Sequence, residues 1–561
     1  MSVADWIVML STLFGIVAYG VWKTRKTVDI HGYLRGGNTM GWAAIGLSVM
    51  ATQASAITFI STPGQAYENG MAFVQNYFGL PLALIIVSAV FIPIYYRLNV
   101  FTAYEYLEKR FDLNTRLLAA FLFLVQRGLA AGITIYAPAI ILSAALGWNL
   151  TFTILFVGIL VIIYTVSGGT KAVSLTQKWQ MGVIMGGMFI AFFTILSKFP
   201  EGVGITEGLE IAGAMNRLNI VDFSFDLNVR YTFWSGITGG LFLALSYFGT
   251  DQSQVQRYLG GKSVKESRLG LMFNALLKIP MQFFILLCGI MVFVFFQFEK
   301  HEVLFDQASV DLVQNSEYAE EFQKVQDKHQ ANYVEKQKAI EGFIAAKGVE
   351  KEAAKSNLLK FDDQEKEIRN EAKDVVRKAF PGNDAKDSDY VFLSFILNYL
   401  PKGLVGLLLA VIISAAMSST SGELNALGTT TMIDFYQRIF KPNSSEKFKV
   451  NASKVITGIW GIIAIGFALV ANLLENLIEA VNILGSLFYG TILGIFIVAF
   501  FLKRIGAKPV FYAALIAEAL VISLFVFYSD VIAYLWLNVV GCFLVIITAS
   551  IINSLRNFIR S

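Results

Sequence analysis

Thirteen apolar stretches, each long enough to cross a bilayer, recur along this chain of 561 residues. They centre near Leu13, Val49, Ile86, Ala131, Gly158, Gly187, Leu243, Leu286, Ala415, Ile462, Ile492, Val521 and Ile546. At membrane depth every backbone N–H and C=O must be satisfied without water, so stretches of this kind fold as helices. The composition, 55% hydrophobic and 15% charged, excludes a soluble globule. The first stretch lacks a small-residue cleavage site and reads as an anchor. Cys288 and Cys542 both fall inside apolar stretches and read as packing residues, not a disulfide.

Orientation follows from the cations. With the N-terminus outside, the connections on the cytoplasmic side carry 24 Lys and Arg, beginning with Lys23 to Arg35. Apart from one long insertion, the other side has four: Lys198, Arg217, Arg230 and Lys402. That asymmetry predicts a multi-pass protein of a plasma membrane, such as a bacterial inner membrane, with its C-terminus in the cytoplasm.

The insertion, Glu299 to Tyr390, has 21 acidic and 15 basic residues and no span. It reads as solvated helix folded into a hairpin on the outer side. His301 and His329 lie in it but far apart in sequence, which argues for solvated side chains over a metal site. A protein-docking role is one reading of the insertion and a passive cap is the other.

Some spans contain what lipid does not tolerate. Ala415 to Asp434 continues an apolar run, yet it is rich in Ser and Thr and holds Glu423, so it must face protein or water. Ala415, Ser418 and Ser419 share one helical face and offer a carbonyl and two hydroxyls, hard ligands suited to Na⁺. Gly46 to Gly70 mixes Ser, Thr and Gln into a span and predicts a discontinuous helix broken at Thr62-Pro63-Gly64. Leu241 to Leu259 mixes in Gly, Thr and Asp and is a second candidate. Its centre lies about 194 residues after that of the first, and Ala415 lies about 192 after Ala131 once the insertion is removed. Two five-helix repeats would give this match. Arg127 and Lys278 are intramembrane cations, hence site candidates, with a structural ion pair to Asp251 or Glu423 as the competing reading. Gly168-Gly169-Thr170-Lys171 reads as a turn without a phosphate role.

With these residues in view the chain resembles the sodium:solute symporter family. The resemblance rests on Ala415-x-x-Ser418-Ser419, TMIDFY at Thr431, SGGTKAV at Ser167, DQxQVQRYL at Asp251 and YLEKRF at Tyr106. It implies an all-α membrane protein with the LeuT five-plus-five inverted repeat, core helices 1 and 6 being discontinuous. The implied division is an extra helix and loop (1–39), the first repeat (40–199), an outer loop (200–230), core helices 6 and 7 (231–298), the insertion (299–390), core helices 8 to 10 (391–505) and two C-terminal helices (506–561). The family's principal sodium site maps to the carbonyls of Ala51, Ala54 and Ala415 and the hydroxyls of Ser418 and Ser419. Where the family usually has Thr-Asp, this chain has Thr176-Gln177. That puts a second Na⁺ in doubt, unless Glu423 stands in for the missing carboxylate near Ser421 and Gln177 as a cation or proton site.

The resemblance implies solute contacts at Gln53, Thr58, Tyr77, Arg127, Tyr247, Lys278 and Asn482. Lys278 and Tyr247 resemble the sugar-transporting members, whereas STPGQAY, IYAP and SQVQRYL resemble the iodide, monocarboxylate and vitamin branch. The expected function is Na⁺-driven symport of a small organic solute, with a carboxylate favoured by the two cations and a neutral sugar or polyol as the alternative. A channel would want a filter loop, which is not found. A transporter-like sensor would want a signalling domain, yet the last span ends near Ser561. A membrane enzyme would want a histidine in a span, and His31, the third histidine, is in a loop. The expected partners are Na⁺, the solute and the bilayer, with no organic cofactor and no nucleic acid.

Overall fold

The computed structural model describes residues 2–24, 39–381, 387–442, 444–471 and 476–560, without the side chains of 17, 20–24, 167–176, 178 and 560. His31, most of the first basic segment and the side chains of Ser167 to Thr176 therefore lie outside the described residues. Each of the thirteen apolar centres falls in a helix. Among the described residues nine helices are long and apolar enough to cross a membrane, and three shorter apolar helices join them. No strand forms among those residues; one isolated bridge pairs Met40 with Gly261.

The helices used below are α1 (Val3–Thr24), α2 (Trp42–Gln53), α3 (Ala56–Asn69), α4 (Leu113–Leu146), α5 (Leu150–Ser197), α6 (Gly240–Gly249), α7 (Gln252–Leu259), α8 (Val264–Phe298), α9 (Ala319–Ala345), α10 (Val349–Ala379), α11 (Leu404–Thr430), α12 (Glu446–Ala468) and α13 (Leu477–Phe501). The run beginning with α11, Leu404 to Phe440, is 89% buried along its most apolar window, against 33% for α12. The small and hydroxylated helix is thus the centre of the molecule, as its intolerance of lipid requires.

α5 is assigned 48 residues, about 72 Å at ~1.5 Å per residue, far more than one crossing needs. Its packing resolves this. Gly158 faces Ile465 and Ile162 faces Gly461, so the first half runs antiparallel to α12. Gln180 donates to the Ser414 carbonyl (3.1 Å) and Gly187 faces Leu408, so the second half runs antiparallel to α11. Because α11 and α12 oppose each other, with Gly428 against Thr457, the chain reverses between Ile162 and Gln180. The interval contains the Gly168–Lys171 segment.

Two helices are interrupted inside the bundle. The first break is not at Thr62-Pro63-Gly64. α2 ends at Gln53, Ala54 and Ser55 leave the helical path, and α3 then runs through Pro63. The reason is packing: Gly64 lies against the Ser388 carbonyl and Gly289 lies against Pro63, so the Pro-Gly pair is a close-approach surface for neighbouring chain. The Thr58 hydroxyl donates to the freed Gln53 carbonyl (3.1 Å). The second break falls at Thr250 and Asp251, between α6 and α7. There Tyr95 and Tyr104 hydroxyls donate to the Gly249 (2.6 Å) and Thr250 (2.9 Å) carbonyls, and the Asp251 carboxylate caps α7 at Ser253 N–H (2.8 Å).

Two of the segments that carry the resemblance meet through charges. Arg116 donates to Glu108 of YLEKRF and to Asp434 of TMIDFY, both at 2.7 Å. The insertion forms a hairpin of α9 and α10 with a small core of its own around Val310, Phe322 and Val376.

Candidate functional site

The broken helix α2 supplies carbonyl oxygens because the last four carbonyls of any helix have no partner within it. Ala54 N–H closes one bond, to Met50 (2.8 Å). Opposite stands α11, where the Ser419 hydroxyl donates to the carbonyls of Ala415 (3.1 Å) and Ala416 (3.2 Å), leaving its own lone pairs free to accept. The Ser418 hydroxyl is buried and has no hydrogen-bond partner among the described residues. Ala51, Ala54, Ala415, Ser418 and Ser419 are all buried. α2 touches α11 one turn further on, where Gly422 meets the Thr52 methyl group. An orphaned hydroxyl on one helix and free terminal carbonyls on a neighbouring helix are the kinds of donor that a hard monovalent cation takes.

Gln177 does not meet Glu423. Ser48 donates to its side-chain carbonyl (2.5 Å), and its amide donates to Thr52 (3.2 Å), so it braces α5 against α2. The Ser421 hydroxyl is buried without a partner among the described residues. Glu423 binds elsewhere: Arg127 donates to one oxygen (3.0 Å) and Thr134 to the other (2.8 Å). Arg127 also pairs with Asp251 at the second break, and the Tyr489 hydroxyl donates to the same Asp251 oxygen (2.7 Å). One guanidinium thus joins α4, α11, α13 and the break before α7. Of the two readings of Arg127, the structural ion pair is present.

All seven expected solute contacts line one cavity of about 140 Å³: Gln53, Thr58, Tyr77, Arg127, Tyr247, Lys278 and Asn482. Lys278 is 2% exposed. It has no ion pair or hydrogen bond among the described residues, and its ammonium lies 5.5 Å from the centre of the Tyr77 ring. Gln53 is held by Asn274 (3.4 Å), and Tyr247 accepts from Gln254 (2.6 Å). The Asn482 side-chain nitrogen is buried without a partner among the described residues.

Among the polar lining residues that the sequence reading does not single out are Thr134, Tyr489 and Asn76. Thr134 lies seven positions after Arg127 and Tyr489 seven after Asn482, so same-face spacing on a helix would have found both. Asn76 has no such signal. It lies in a short 3₁₀ segment whose direction only the fold sets.

The Sodium:solute symporter family profile matches residues 33–320 and 372–516, most of the chain outside the hairpin. The chain belongs to that family. The sodium-coupled monocarboxylate transporter 2 of Bos taurus is 28% identical over 88% of this chain and 68% of its own length. The Mus musculus protein of the same name is 28% identical over 86% of this chain and 65% of its own length, so the chain spans about two thirds of these relatives. The human sodium/iodide cotransporter is 35% identical over 47% of this chain and 41% of its own length. A solved Na⁺-coupled sialic acid symporter superposes with a TM-score of 0.74 at 24% identity, covering 99% of this chain and 98% of that one. This neighbour confirms the LeuT-type fold of the family. The protein is a multi-pass sodium-coupled transporter and not an enzyme.

Proposed function

We propose that this chain couples Na⁺ entry to the import of a small organic anion bearing a carboxylate. Lys278 carries this reading. An unpaired charge at membrane depth costs at least ~2.5–3.5 kcal/mol on insertion scales, and a carboxylate arriving in the cavity offsets that cost. Arg127 is already committed to Asp251 and Glu423, so the anion-binding role falls to Lys278. The names of the relatives, monocarboxylate transporters, agree in charge class.

Na⁺ is assigned to the carbonyls of Ala51, Ala54 and Ala415 and the hydroxyls of Ser418 and Ser419. The ion then ties α2 to α11, and its departure loosens the wall of the solute cavity, which links the two ligands. Cation asymmetry supports an outside N-terminus, a cytoplasmic C-terminus and an outward-facing hairpin in a plasma membrane of bacterial inner-membrane type. The division into core helices at 40–199, 231–298 and 391–505, with flanking segments at 1–39, 200–230, 299–390 and 506–561, belongs to the same proposal.

The test is solute uptake into sealed vesicles, with monocarboxylates and neutral sugars as parallel substrates. Accumulation of a carboxylate against its gradient, driven by Na⁺ and lost in Ser418→Ala/Ser419→Ala, is expected. Accumulation excludes a channel, which only equilibrates. Accumulation of a neutral sugar alone supports the second reading, which the amides of Gln53, Asn76 and Asn482 favour as hydrogen-bonding groups. Glu423 is proposed as a further cation or proton site, with Ser421 as its expected neighbour and without Gln177, which Ser48 and Thr52 hold. The Glu423 oxygens are shared with Arg127 and Thr134, so any ion there competes with a guanidinium. Unchanged Na⁺ and pH dependence in Glu423→Gln removes that role.

A further inference from the structure

The hairpin brings together three side chains that transport does not use. His301 follows the end of α8 by three residues, His329 lies on α9 and Glu365 lies on α10. One ligand atom from each lies within 4.8 Å of the others. The two imidazole rings, 28 positions apart in sequence, have centroids 5.1 Å apart. This contradicts the expectation that both rings are solvated: His329 is 5% exposed. We propose that His301, His329 and Glu365 form a zinc site that fastens both helices of the hairpin to the end of α8.

Two imidazoles and one carboxylate, with water completing the set, are a recurrent zinc environment. Tetrahedral bonds of ~2.0–2.1 Å require ligand atoms ~3.3 Å apart, so closing from 4.8 Å is a shift of about 1.5 Å, within side-chain reach. The His301 ring is prepared for the role. Its Nδ1 is 2.8 Å from the Glu302 carbonyl. A carbonyl only accepts, so Nδ1 carries the proton and Nε2 presents a lone pair. Stacking on Phe305, 5.0 Å away, fixes the plane of the ring.

Burial pushes the imidazoles down, His301 to about 4 and His329 to about 3, with the nearby Arg369 and Lys336 cations adding to it. Those two cations also oppose a metal ion. Lys336 occupies one Glu365 oxygen (2.6 Å), which leaves the other for coordination. Burial raises the Glu365 carboxyl, and the Lys336 ammonium pulls it down by charge and by hydrogen bond. The proposal is independent of which solute the membrane core carries.

The test uses the purified full-length protein in detergent, stripped with a chelator. It is titrated with Zn²⁺ by calorimetry and with Co²⁺ by visible absorption. One Zn²⁺ per chain, the absorption bands of four-coordinate Co²⁺, and at least ~10-fold weaker Zn²⁺ binding in His301→Gln and in His329→Gln are expected. Glu365→Gln weakens binding in the same sense. Absence of stoichiometric Zn²⁺ binding in the wild type overturns the proposal, as does affinity retained in both histidine variants. Should the variants fail to fold, the wild-type Co²⁺ spectrum decides: a spectrum of hexa-aqua Co²⁺ alone overturns it.

Discussion

Arg127 and Lys278 line the same cavity, one from α4 and one from α8. Both are buried cations in a membrane interior, and their surroundings differ. Arg127 pairs with Asp251 and Glu423 and accepts the company of Tyr489. Among the described residues, Lys278 has no ion pair and lies over the face of Tyr77. A cation whose charge is satisfied by the fold holds the fold together, whereas one left unsatisfied stays available to a ligand. The planar, bidentate guanidinium suits the first task, joining two carboxylates from different helices. The single ammonium on a flexible stem suits the second.

The comparison predicts opposite responses to the same kind of change. Arg127→Met leaves two buried carboxylates unpaired and is expected to destabilise the protein by about 3–5 kcal/mol. The melting temperature of purified protein measures it, and a variant as stable as wild type would show that Arg127 is not structural. Adding Glu423→Gln to Arg127→Met removes one of the stranded charges, so partial recovery of stability is expected.

Lys278→Met is expected to leave stability unchanged or raise it, because no partner is stranded. Its cost appears in binding: loss of a charge-assisted contact worth about 1.5–3 kcal/mol weakens a carboxylate ligand by roughly 10- to 100-fold. Calorimetric titration of a carboxylate solute measures this. A neutral solute loses little, so equal losses for both would erase the distinction between the two cations.

Tyr77→Leu should have the smallest effect. An aromatic face under an ammonium contributes about 0.5–2 kcal/mol, so a change of a few-fold in solute affinity is expected with little change in folding. A larger effect than that of Lys278→Met would make Tyr77, and not the lysine, the principal solute contact.

How legible these features were depends on how local their causes are. Helix positions and the membrane class follow from hydropathy over windows of about 20 residues, a property each segment carries alone. The cavity-lining residues were legible through resemblance, and Thr134 and Tyr489 were within reach of helical spacing. The first break was misplaced because Pro63-Gly64 is a strong local signal for interruption. At that position Gly289 and Ser388 press against the chain and the helix continues. Ala54 and Ser55, where the helix does stop, carry no comparable signal.

By itself the sequence determined the bilayer as solvent, the order of the helices, the burial of the serine-rich helix and the membership of a sodium-coupled family. Each of these is set by composition and pattern within single segments. Only the tertiary structure decided which intramembrane cation is paired, since Arg127 meets partners 124 and 296 positions away. It also decided where α2 ends and that His301, His329 and Glu365 converge. Electrostatic pairing and close packing depend on separation in space, and residues distant along the chain acquire that separation only when the helices assemble.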